Sequence, residues 1–170
     1  MGNALIPWQW YSSIYQLDLA ALADRGITLL LADLDNTLIP YGESLPNQRL
    51  VEWEAQLRRH GIQLFILSNS RKPNRVGRFA QALGVPFQGH SGKPRRGGYL
   101  RAMEKMGRTR AETAMIGDQI FTDIWGGNRA GVSTLLVDPI ALDNPFRTLR
   151  YWVETPFRGR ASRGETCHES

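Results

Sequence analysis

Apolar residues gather along the chain in five short runs: ITLLLA (27–32), IQLFIL (62–67), VPF (85–87), TAMI (113–116) and STLLV (133–137). A strand with one face in water alternates apolar and polar positions, so near-continuous runs predict strands covered on both faces. Between the runs the apolar spacing lengthens to three and four. Leu50, Trp53 and Leu57 lead to Gly61; Val76, Phe79, Ala80 and Leu83 to Gly84; Tyr99, Met103 and Met106 to Gly107; Ile120, Ile124 and Ala130 to Gly131. That period is helical, and glycine is a common helix stop. The alternation of strand and helix predicts an α/β fold, an open parallel, Rossmann-like sheet of about five strands flanked by helices.

In open parallel sheets, ligands sit beyond the carboxyl ends of the strands. Asp33 and Asp35 follow the first run, Ser68 and Asn69 the second, and Asp118 the fourth. The alternation therefore gathers these polar residues along one edge of the sheet, although any one of them alone would pass as an ordinary loop residue.

A chain of 170 residues has room for one domain, taken as residues 1–157, with RGRASRGETCHES (158–170) read as a disordered tail. The single cysteine, Cys167, excludes an intramolecular disulfide and points to a reducing compartment. No apolar run approaches the roughly 20 residues that cross a bilayer, so no transmembrane segment is expected. The N-terminal stretch also lacks the basic and apolar regions of a secretory signal. The expected location is the cytoplasm, with peripheral contact at the inner face of a membrane left open. Trp8, Trp10 and Tyr11 are expected to pack on the core, with an interfacial role as the alternative.

Charge is unevenly spread. The net charge is +5, yet residues 71–110 alone carry 11 basic side chains against one acidic, Glu104. Such a block is either a solvated basic face or a surface that attracts an anionic partner.

The polar residues at the strand ends fall in the segments DLDNT (33–37), SNS (68–70), GKP (92–94) and GDQIFTD (117–123). In this order they resemble the motifs of the haloacid dehalogenase superfamily of phosphatases: Asp-x-Asp-x-Thr, a Ser or Thr after the second strand, a Lys, and an acidic pair. The resemblance implies an Mg²⁺-dependent phosphomonoester hydrolase. It makes Asp33 the nucleophile that forms an aspartyl phosphate. Asp35 becomes the acid that protonates the leaving oxygen and the base that then activates water. Lys93 completes the catalytic set by neutralising phosphoryl charge, while Ser68 and the Asn69 backbone N–H hold the phosphoryl oxygens. The implied Mg²⁺ ligands are Asp33, the Asp35 carbonyl and Asp118, all hard oxygen donors. Thr37 supports the loop, and Asp123 supports Lys93 or a metal-bound water. Relatives that use the same nucleophile for ATP-driven transport carry Thr at the position of Asp35, so its presence favours hydrolysis.

Only 30 residues separate Thr37 from Ser68, and 23 separate Asn69 from Lys93. Each interval is filled by about one helix and one strand, which leaves no room for the cap domains that the superfamily inserts at these points. An open site cannot close over a small metabolite by itself, so a large substrate, a second subunit or a surface must exclude water.

The longer pattern comprises SIYQLDLAALADRGITLLLADLDNTLIP, LSNS with Arg75 beyond it, KP, and IGDQIFTDIWGGNRAG. It is similar to the capless bacterial YqeG-type phosphatases and the eukaryotic phosphatidylglycerophosphate phosphatases. That resemblance implies hydrolysis of phosphatidylglycerophosphate to phosphatidylglycerol, with an anionic phospholipid head group as substrate and Arg75 among its contacts. Two other readings stand beside it. One is a phosphatase of soluble sugar phosphates or nucleotides, and the other an RNA- or ribosome-associated binding protein on the same fold. No RNA-binding motif with interleaved aromatics is visible, so nucleic acid is not an expected partner.

Overall fold

A computed structural model describes residues 4–163; Cys167 and the end of the expected tail lie outside them. In chain order the elements are β1 (Gln9–Tyr11), α1 (Leu19–Asp24), β2 (Leu29–Ala32), α2 (Gln48–Arg59), β3 (Gln63–Leu67), α3 (Pro73–Leu83) and β4 (Phe87–Gln88). Then follow α4 (Arg96–Met106), β5 (Thr113–Gly117), a π-helical turn (Ile120–Ile124), α5 (Trp125–Ala130), β6 (Ser133–Val137), α6 (Pro145–Arg158) and β7 (Ser162–Arg163).

The strands form one parallel sheet in the order β4-β3-β2-β5-β6-β1-β7. Both faces are covered, which explains the unbroken apolar runs. Leu30 and Ala32 of β2, Leu64 and Ile66 of β3 and Ile116 of β5 pack with Leu50, Trp53 and Leu57 of α2 and Val76 and Phe79 of α3. The intervening residues Leu29, Leu31, Phe65, Leu67 and Met115 meet Tyr99, Ala102 and Met103 of α4 and Ala130 of α5 on the other face. Each such side chain contributes about 1.5–3 kcal/mol relative to leaving it exposed. Helices α3, α4 and α5 stop where Gly84, Gly107 and Gly131 take left-handed φ values of 76°, 62° and 80°.

The sheet has seven strands rather than about five. The five expected strands form one side of it, and β1 and β7 extend it past β6. β1 is silent in the sequence because its three residues, of which only Tyr11 is buried, make no apolar run. In this strand Tyr11 is buried, and the Trp10 indole N–H donates to Asp138 Oδ1 at 2.9 Å. Trp8 packs against the core, with the Arg25 guanidinium 3.9 Å over its ring. These aromatics thus serve the fold, the first of the two expected roles. The C-terminal region also differs. Residue 158, where the tail was expected to begin, closes a 14-residue helix, and β7 follows it. The start signal of that helix is an Asn–Pro pair: Pro145 opens it, and the Asn144 side chain accepts from the Phe146 N–H at 2.9 Å.

The winding positions the site. From β2 the chain moves outward to β3 and β4, then returns to β5 and β6 on the opposite flank of β2. The crevice at such a reversal lies beyond the carboxyl ends of β2 and β5.

Candidate active site

Asp33 and Asp118 stand at those two strand ends. The Asp33 N–H donates to the Ile116 carbonyl at 3.0 Å, carrying the β2–β5 ladder one residue past the strand and fixing Asp33 at the crevice. The chain then turns sharply through Asn36, whose φ of 62° is a left-handed conformation that asparagine tolerates. The turn is closed by the Asn36 N–H on the Ile39 carbonyl at 2.7 Å, and it brings the Thr37 hydroxyl to Asp118 Oδ1 at 3.2 Å.

Lys93 is the hub. Its Nζ donates to Asp33 Oδ1 and to Asp123 Oδ1, both at 2.8 Å, and its side chain is 1% exposed. The Asn69 side chain aligns the Lys93 backbone: Nδ2 donates to the Lys93 carbonyl at 2.9 Å, while Oδ1 accepts from the Lys93 N–H at 2.9 Å and from the Ser91 hydroxyl at 2.8 Å. Ser68 is buried beside it, its Oγ accepting from the Ser70 N–H at 3.0 Å. On the other side the π-turn carries Asp123 inward, and the Gln119 N–H donates to Asp123 Oδ2 at 3.2 Å. Gly117 makes room for this: a Cβ there would lie 2.2 Å from Asp123 Oδ2.

Three carboxylates crowd this one ammonium. Asp33, Asp118 and Asp123 each offer an oxygen within 4.8 Å of the others. Burial pushes Asp33 up to about 6 against the pull of Lys93. Burial and the neighbouring Asp33 and Asp123 charges hold Asp118 well above the usual carboxylate range. Burial also opposes the charge on Lys93, but Asp123 and Asp33 outweigh it and its pKa is raised. Close-set buried oxygens with too little positive charge form a donor set suited to a hard divalent cation.

Asp33, Asp35, Ser68, Asn69 and Lys93 line a common open pocket of about 180 Å³. Asp118 is buried next to it, accepting from the Thr37 hydroxyl and with an oxygen within 4.8 Å of those of Asp33 and Asp123. Arg75 goes elsewhere: expected on the substrate, its guanidinium forks onto both oxygens of Asp35, Nη1 at 3.2 Å and Nη2 closer, while Nε donates to the Glu43 carbonyl at 2.9 Å. Arg147 of α6, unnoticed in the sequence, also lines the pocket and stacks 3.8 Å over the Tyr41 ring. The same helix braces the Asp118 loop, because buried Arg158 donates to the Asp118 carbonyl and buried Glu154 accepts from the Phe121 N–H at 3.2 Å. The Asn–Pro start signal was the clue that would have found all three residues.

A sequence profile of haloacid dehalogenase-like hydrolases matches residues 4–131. The chain is 35% identical over 143 residues to the "Probable phosphatase YqeG" of Bacillus subtilis, covering 84% of this chain and 83% of that protein. It is 28% identical over 155 residues to the chloroplastic phosphatidylglycerophosphate phosphatase 1 of Chlamydomonas reinhardtii, covering 82% of this chain but only 58% of the algal protein. Among solved structures, the cobalt-bound deoxy-D-mannose-octulosonate 8-phosphate phosphatase of Haemophilus influenzae aligns with a TM-score of 0.51 at 18% identity, over 82% of this chain and 93% of that one. That last likeness is one of fold.

Proposed function

The chain belongs to the haloacid dehalogenase-like hydrolases and is a phosphatase of that family, and from that premise we propose that it cleaves the phosphomonoester of phosphatidylglycerophosphate through an aspartyl phosphate on Asp33. The observation that carries the chemistry is the Lys93 ammonium fixed between Asp33 and Asp123 beside the pocket that Ser68 and Asp35 also line.

An Asp33 oxygen attacks phosphorus, the bond to the lipid alkoxide oxygen breaks, and Asp35 gives that oxygen its proton. Water then attacks the aspartyl phosphate, Asp35 takes the water's proton, and inorganic phosphate leaves with Asp33 restored. Lys93 and the Ser68 hydroxyl stabilise charge on the phosphoryl oxygens. Arg75 holds the Asp35 carboxylate through its two-pronged contact, and one prong must release for Asp35 to carry the proton that it gives up.

Asp33 and Asp118, with the Asp35 carbonyl, would hold Mg²⁺, because the buried acids outnumber the local cations; Lys93 pairs with Asp33 and Asp123 alike. Mg²⁺ when bound supplies the positive charge that lets an anionic nucleophile approach an anionic phosphoryl group.

The lipid assignment draws on three supports. Between Thr37 and Ser68 only α2 and β3 intervene, and between Asn69 and Lys93 only α3 and β4, so among the described residues no cap covers the pocket. Arg147 offers a further cation for the second, diester phosphate of this lipid. The algal relative carries that activity in its name. The test is phosphate release from phosphatidylglycerophosphate in mixed micelles with Mg²⁺, beside p-nitrophenyl phosphate, a sugar phosphate and a nucleoside monophosphate. A higher kcat/KM on the lipid supports the assignment. Equal or better turnover of the soluble esters overturns it and leaves a general phosphatase, and turnover of none is what the binding-protein reading requires.

A further inference from the structure

The outward face of α6 is apolar. Phe146, Leu149 and Val153 recur at spacings of three and four and are 85%, 63% and 54% exposed; Trp152 beside them is 67% exposed. On the opposite face Glu154 and Arg158 are buried. Isolated apolar side chains on a surface are ordinary, but four large ones on one helix face mark a contact surface. The Arg158 and Glu154 contacts with the Asp118 loop hold this face in a set position beside the catalytic pocket, and Arg147 of the same helix lines that pocket.

We propose that this face of α6 docks on an anionic phospholipid bilayer, laying the helix in the headgroup region with the catalytic pocket open to the lipid. The inference rests on the lipid-phosphatase reading above. Charge selects the occupant. Arg147 and Arg150 share a groove with Phe146, Leu149 and Val153 along one side of the apolar stripe, reaching Asp143 at 4.0 Å and Glu154 at 3.5 Å. Across the pocket, Ser70 lines the opposite wall, and exposed Arg71 and Lys72 follow it. Exposed Arg95 stands two residues beyond Lys93. An apolar stripe rimmed by cations suits an anionic leaflet, where basic residues are attracted and apolar side chains enter the acyl boundary. A second copy of this chain, whose net charge is +5, would instead bring like-charged surfaces together.

The test is flotation of the full chain with vesicles of phosphatidylcholine containing phosphatidylglycerol, and with phosphatidylcholine alone. Wild type is compared with Phe146→Ser/Leu149→Ser. The wild type should float with the anionic vesicles only. The double variant should bind at least about tenfold more weakly, because each side chain loses its transfer from water. Both proteins should turn over p-nitrophenyl phosphate equally. Brominated phosphatidylglycerol vesicles should quench wild-type tryptophan fluorescence more than that of Trp152→Phe. Equal binding by the double variant, or no binding by wild type, overturns the proposal. So does a wild-type dimer in analytical ultracentrifugation that the double variant dissolves, since a second copy would then cover the face. If α6-dependent binding is found but phosphatidylglycerophosphate is not hydrolysed, docking stands and the substrate assignment falls.

Discussion

Replacing Lys93 with methionine keeps the length of the side chain and removes the one cation that Asp33 and Asp123 share. Both acids contact its Nζ at 2.8 Å, and the side chains of Lys93 and Asp123 are each 1% exposed. Breaking a buried pair by removing one partner costs about 3–5 kcal/mol, because the other charge stays buried and uncompensated. The lower end applies here, since the Asp33 side chain is 12% exposed at an open pocket where water relieves part of the cost. A loss of about 3 kcal/mol in a domain of this size lowers Tm by about 6–12 °C. Differential scanning calorimetry at pH 7 in EDTA reads this directly, with Lys72→Met as the control that removes an exposed lysine at the start of α3. The control should stay within about 0.5 kcal/mol of wild type. A Lys93→Met protein that melts within 2 °C of wild type, on the order of the control's shift, would refute the view that Lys93 neutralises the acid cluster.

Gly117→Ala places a methyl group 2.2 Å from Asp123 Oδ2, so Asp123 must leave Lys93; kcat on p-nitrophenyl phosphate should fall at least about tenfold with little change in KM, and unchanged kcat would show that the Asp123 contact is dispensable. Burial holds Asp33 at about 6 and Asp118 well above its ordinary range, so the folded chain keeps protons that the unfolded chain has shed. Stability from Asp33 therefore falls as pH rises from about 4 to about 6, and Asp118 adds a loss in the same direction. Mg²⁺ requires the ionised acids and should raise Tm more at pH 7 than at pH 5, measured against EDTA; equal shifts would contradict the assigned ligands. Arg147→Ala should raise KM for phosphatidylglycerophosphate about tenfold and leave p-nitrophenyl phosphate nearly untouched, because only the lipid has a second phosphate to lose contact with.

The central sheet is legible because the runs at β2, β3, β5 and β6 are buried on both faces, with only the edge strand β4 leaving Phe87 exposed, and the intervening helices give way to glycines. The site residues at the ends of β2, β3 and β5 follow from that topology alone. Less visible is anything set by contact between distant segments. Nothing in the spacing of Arg75 announces that it turns to Asp35, 40 positions away, and the reach of Asn69 to Lys93 across 24 positions is equally silent. Strands β1 and β7 are too short for a periodic signal, being pinned by pairing with neighbours rather than by their own pattern. Helix α6 was legible in its Asn144–Pro145 start and in the three-and-four spacing of Phe146, Leu149 and Val153, but nothing in that stripe says that it faces outward.

Asp33→Asn tests the account most directly, in phosphate release from phosphatidylglycerophosphate with Mg²⁺ in mixed micelles. Asparagine is nearly isosteric, cannot serve as the carboxylate nucleophile, and removes one charge from a crowded acid cluster. The account predicts a loss of turnover of at least about 10³-fold, with a Tm equal to or above that of wild type. Turnover at the wild-type rate by a folded Asp33→Asn protein would contradict it.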